Sequence, residues 1–143
     1  MVMSFEIEPY VGARPIVFGA SRDAVAAVLG PPKRSRATER GGWRELFDGA
    51  LVFFDAAGTV REVTFFPVPS KRLLLEGVIL LGEGAIANPF DYLIGRESAP
   101  KVEQGIAVLF SLGVAMPAGK SEQEEDPSIT VFRKDCWQGL RST

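Results

Sequence analysis

The chain has 143 residues, a formal net charge of −2, 46% hydrophobic residues, one cysteine and no histidine. Without imidazole, Ser-His and Cys-His catalysis and His-containing zinc sites are excluded. A near-neutral charge balance sets up no field for nucleic acid or an acidic membrane, a lone cysteine builds no internal disulfide framework, and the apolar content argues against disorder.

The opening, Met1 to Glu8, lacks a basic stretch followed by an apolar core, so it does not read as a signal peptide. No apolar run approaches the ~20 residues of a membrane helix. The expected location is the cytoplasm.

Phe5 to Tyr10 alternates apolar and acidic residues, which predicts a half-exposed strand with Phe5 and Ile7 on one face and Glu6 and Glu8 on the other. The two glutamates read as exposed side chains of an edge strand rather than an acid–base pair. Ile16 to Phe18 is a short strand. Ser21 then caps a helix whose stripe is Val25, Val28 and Leu29, with Asp23 at its positive end; Gly30 and Pro31-Pro32 end it.

Lys33 to Gly42 is polar and reads as a loop. Trp43 to Phe47 begins a strand. Leu51 to Phe54 is apolar at every position, which predicts a covered central strand with Phe53 in the core. Asp55 to Gly58 makes a tight turn and Val60 to Phe66 returns beside it, with Phe65 inward. Pro67 to Ser70 reads as a junction. Leu73 to Leu81 resumes as one strand, and Asn88-Pro89 caps a helix reaching about Arg96, with Phe90, Leu93 and Ile94 on one side. Ile106 to Met116 reads as two strands around Ser111-Leu112-Gly113, Lys120 to Asp126 as a charged loop, Ser128 to Phe132 as the last strand, and Arg141 to Thr143 as frayed.

The expected fold is a single α+β domain over residues 1–143, with a mostly antiparallel sheet and one or two short helices packed on one face. The order strand, short helix, strands occurs twice, at an offset of about 65 positions, which suggests degenerate α/β half-repeats at 1–66 and 71–133.

The stretch from Pro15 to Pro32, with Phe18-Gly19, Ser21-Arg22-Asp23, Val25 and Leu29-Gly30-Pro31-Pro32, resembles the opening of BamE-like and β-lactamase-inhibitor-like units. A strand ending Phe54-Asp55 that meets Gly58-Thr59-Val60 fits the same pattern. Ile106 to Val114 and Asp126 to Phe132 resemble small cytoplasmic immunity proteins of bacterial polymorphic toxin systems. The resemblance covers about half the chain and its motifs are structural. It implies a binder that neutralises a toxin by occluding its active site, without catalysis or cofactor; a BamE-like assembly adaptor is the alternative, and carboxylate chemistry a third reading.

Two segments are candidates for partner contact. Lys33, Arg34, Arg36 and Arg40 precede Trp43, an aromatic anchor with a polar edge; of these, Arg36, Arg40 and Trp43 are the expected contact residues. Glu122, Glu124, Glu125 and Asp126 could offer an anionic surface to a cationic cleft. The plainer reading of either segment is a solvated loop. Gly82-Glu83-Gly84-Ala85-Ile86-Ala87 spells a dinucleotide-like glycine pattern, but the helix starts only at Asn88-Pro89, so a plain turn is the expectation. Cys136 reads as a packed thiol. No metal, nucleic acid or membrane is expected.

Overall fold

The computed structural model describes residues 2–39, 41–97, 100–103, 105–117 and 128–134. It is an α+β fold of two mainly antiparallel sheets, where the sequence suggested one. The first sheet contains β1 (Met3–Glu8), β2 (Gly12–Arg14), β3 (Ile16–Val17), β8 (Lys71–Leu75) and β9 (Val78–Leu81), in the order β3-β2-β1-β8-β9. The second contains β4 (Arg34–Ala37), β5 (Trp43–Phe47), β6 (Ala50–Phe54), β7 (Val60–Phe65), β10 (Lys101–Glu103), β11 (Ile106–Leu109), β12 (Val114–Pro117) and β13 (Ile129–Phe132), in the order β10-β11-β12-β13-β7-β6-β5-β4. Helices α1 (Arg22–Leu29) and α2 (Pro89–Ile94) interrupt the strands.

Both orders are mirrored. With β1 set apart, each half runs two strands, a helix and four strands; β7 and β13 meet antiparallel at the centre of the large sheet, and β1 lies between β2 and β8 in the small one. β1 is therefore a central strand, antiparallel to β2 and parallel to β8, not the edge strand expected from Glu6 and Glu8. Its alternation is as expected: Phe5 and Ile7 are buried and Glu6 is exposed.

Both sheets contribute to one apolar cluster. Phe5 meets Phe65 with ring centroids 5.2 Å apart, and Leu73, Leu75 and Leu80 join Val52, Phe54 and Val63. The helices reach the same cluster through Val25 and Leu93, which are buried, and through Val28, Leu29, Phe90 and Ile94, which are partly buried. The capping chemistry is local: Ser21 Oγ accepts from Ala24 N at 3.1 Å, and Asn88 Oδ1 accepts from Asp91 N at 3.1 Å. Gly30 ends α1 at φ 86°.

Three readings are corrected. Lys33 to Gly42 is not a loop: Arg34 to Ala37 forms β4, antiparallel to β5. Its side chains are all exposed, so it carries no apolar alternation to betray it. Leu73 to Leu81 is not one strand, because Glu76 and Gly77 take positive φ (50° and 84°) and turn it into the β8–β9 hairpin. Phe53 is not in the core. β6 buries Ala50, Val52 and Phe54, while Leu51 and Phe53 are half-buried on the opposite side. A strand apolar at every position leaves the inward parity open.

Candidate functional site

Three polar constellations stand out, and they differ in how far their groups are already satisfied. The first is on the core-facing side of β4–β5. Strand alternation places Trp43, Glu45 and Phe47 on one face, and Glu45 is the one charged residue buried among the described residues, at 3% exposure. A buried carboxylate demands partners. Its Oε2 accepts from Arg22 Nη2 at 2.7 Å, Arg22 Nε at 3.2 Å and Ser35 Oγ at 2.8 Å. The Arg22 guanidinium also lies 4.2 Å from the centre of the Trp43 ring. An open cleft of about 610 Å³ lies over this group, lined also by Ser21, Asp23 and Pro32. The network ties α1 to β4 and β5, and Trp43 is packed within it rather than standing free.

The second is the turn after β6. Asp55 Oδ1 accepts from Ala57 N and Thr59 N, both at 3.0 Å, and Oδ2 accepts from Thr59 Oγ1 at 2.9 Å and Arg133 Nη1 at 2.9 Å. Arg133 foremost, aided by the Thr59 bonds, holds the Asp55 carboxyl well below the usual carboxylate range. Gly58 completes the turn at φ 81°. The Phe54-Asp55 and Gly58-Thr59-Val60 pattern thus has a structural cause: one carboxylate closes the turn and pins the segment after β13.

The third is the other face of the large sheet, away from Val52 and Phe54. The register sets Arg34 opposite Leu46 and Arg36 opposite Arg44, then Arg44 opposite Phe53 and Leu46 opposite Leu51. Farther along, Phe53 faces Glu62, Leu51 faces Thr64, and Thr64 hydrogen-bonds Thr130 across 2.7 Å. The three arginines are exposed; Leu46, Leu51 and Phe53 are half-buried. A cleft of about 340 Å³ is lined by Thr38, Glu39, Phe53, Phe54, Arg61 and Glu62. Burial pushes the Glu62 carboxyl up, against the pull of Arg61 at 3.7 Å.

Of the expected contact residues, Arg36 and Trp43 are described, and they face opposite sides: Arg36 pairs with Arg44, whereas Trp43 shares the side of Glu45 and Arg22. Arg40, Glu122, Glu124, Glu125 and Asp126 lie outside the described residues, as does Cys136. Glu45 and Arg44 are not among the residues expected from the sequence. The signal was there in the alternation of Trp43 to Phe47, which sets Glu45 among inward residues and Arg44 among outward ones.

The glycine pattern at 82–87 serves the β8–β9 hairpin. A side chain at Gly82 would meet the Lys71 carbonyl oxygen at 2.2 Å, and Arg72 Nε donates to the Glu83 carbonyl at 3.1 Å. Among the described residues no group of three or more His, Cys, Asp or Glu side chains is placed to hold a metal ion, and no helix is long and apolar enough to cross a membrane. No protein-family model matches the chain, and neither does any curated protein or solved structure.

Proposed function

We propose that the chain is a protein-binding module, and specifically an immunity protein that neutralises a toxic partner in the cytoplasm by covering its active site. The observation that carries this reading is the broad outer face over β4 to β7, where half-exposed Leu46, Leu51 and Phe53 are bordered by exposed arginines. Apolar side chains flanked by arginine are the composition of interface centres and their rims. The sequence resemblance adds the toxin-neutralising role.

In this reading both helices and the small sheet back the inner side of the large sheet, since Val25, Leu93, Phe5 and Leu73 share the cluster of Val52 and Phe54. That backing would hold the outer face rigid, which limits the ordering cost of binding. The mirrored strand orders fit two degenerate copies of one unit, joined at β7–β13. The Glu45 cleft serves the fold in this account, because Arg22 and Ser35 engage the carboxylate.

The reading expects a toxic domain encoded by a neighbouring gene, and the test is co-expression with that domain, scored by growth and by co-purification. Restored growth with a stoichiometric complex is the expected result. Unrelieved toxicity and separate elution would overturn the immunity reading.

A further inference from the structure

The end of the outer face at β4–β5 concentrates positive charge that no described residue balances. Arg34 and Arg36 sit two residues apart on an edge strand and point to one side, and Arg44 lies directly opposite Arg36. Like charges directly opposed across a strand pair destabilise a sheet. None of the three forms a salt bridge or side-chain hydrogen bond with a described residue, whereas Arg14, Arg22, Arg96 and Arg133 each have a carboxylate. The repulsion could be relieved by any neutral residue at one position. Beside the arginines lie Leu46, Leu51 and Phe53, and beyond Phe53 the 340 Å³ cleft.

We propose that this patch docks an acidic segment of a partner protein, its carboxylates on Arg34, Arg36 and Arg44 and an apolar side chain against Phe53. Guanidinium groups bind carboxylates through paired N–H donors, so three spaced along one face select a segment with carboxylates at matching intervals. The apolar floor of Leu46, Leu51 and Phe53 favours a protein over a nucleic-acid backbone, which would bring phosphates but no apolar side chain to cover it. The inference rests on the protein-binding reading above and names the chemistry of the partner.

An edge strand also uses charge to resist pairing with other copies, and the experiment separates the two roles. The probe is a fluorescein-labelled decapeptide of alternating glutamate and leucine, with its glutamine counterpart and a ten-nucleotide single-stranded DNA as controls. The proteins are the wild-type chain and the triple variant Arg34→Gln, Arg36→Gln, Arg44→Gln. Wild type should bind the acidic peptide, more weakly at high salt, and the triple variant should bind about 10-fold more weakly. Its melting temperature should equal or exceed that of wild type, which rules out unfolding as the cause of lost binding. Equal binding by the two proteins, no binding by wild type, or tighter binding of the DNA than of the peptide overturns the inference. So does a triple variant that self-associates yet still binds the peptide as wild type does, since edge protection is then the role of the arginines. Growth rescue with the triple variant keeps the two readings apart: rescue by wild type and variant alike sinks the arginine patch and leaves the immunity function standing, whereas failure of wild type sinks that function alone.

Discussion

The two ends of the outer face of the large sheet meet opposite fates. At the β11–β13 end, Val108, Ala115 and Phe132 are fully or almost fully buried, with Tyr10, Ile106 and Phe110 packed against them. Tyr10 and Phe110 approach Phe132 edge-on at centroid distances of 6.0 and 6.2 Å, and the Tyr10 hydroxyl donates to the Phe110 carbonyl. At the β4–β5 end the register continues on the same side, yet Arg34, Arg36 and Arg44 are exposed. Apolar side chains gain from being covered. Guanidinium groups cannot be covered without matched carboxylates, because desolvating them costs more than packing returns. One sheet face is thus a closed core at one end and an open surface at the other, decided by side-chain chemistry on equivalent backbone.

The contrast is tested first by truncating one ring at each end. Phe132→Ala should cost about 3–5 kcal/mol, the range for a buried phenylalanine. Phe53→Ala, half-exposed, should cost about 1 kcal/mol, typical of a point change outside the core. Urea unfolding of the two variants reads the difference; equal losses would mean that the β6 end is as closed as the β13 end.

The inner side at the β4–β5 end tests whether charge there is structural. Arg22→Ala leaves the Glu45 carboxylate buried with Ser35 as its remaining hydrogen-bond donor, and should cost about 1–3 kcal/mol. The loss should shrink when Glu45→Gln is added, since the uncompensated charge is then gone. Strictly additive losses in that double-mutant cycle would show that the pair is not coupled.

The acid limb of stability separates two carboxylates of opposite sign. Asp55 is held low by Arg133, so its stabilisation is present above the unfolded carboxyl value and is lost as pH falls through the folded value. Glu62 is raised by burial, so its neutral form favours the fold, and stability declines as pH rises from the unfolded to the folded value. Asp55→Asn should therefore lower neutral stability by about 1–3 kcal/mol and flatten the loss in acid. Glu62→Gln should raise neutral stability. Thermal melts between pH 3 and pH 7 check both, and a destabilised Glu62→Gln protein would contradict the burial argument.

The smallest effect belongs to the open surface. Arg36→Gln should change stability by no more than about 0.5 kcal/mol, in the stabilising direction, because it removes repulsion from Arg44. A clear destabilisation would mean that the arginine holds something together.

Much of the fold was legible residue by residue. The Ser21 and Asn88 caps, the Gly30 stop, the Asp55–Gly58 turn and the burial of Phe5, Ile7 and Phe65 follow from local chemistry and from period-two alternation. The site was less legible. The sequence marks Arg36, but as part of a loop with Trp43, because β4 has no buried side chain to reveal a strand. Its true neighbour, Arg44, comes from the next strand, and a pairing register is not written in either segment alone.

The sequence by itself determined the Asp55–Gly58 turn, where the helices start, and that the chain lacks the side chain for histidine-based catalysis. These depend on side chains acting on backbone a few positions away. Only the tertiary structure decided that two sheets form with mirrored strand orders, that β1 is central, that Phe54 rather than Phe53 faces the core, and that three arginines from two strands converge. Each of these depends on which strand lies beside which. That choice is made by burying apolar surface across the whole chain at once, a non-directional force that no short stretch of residues can encode.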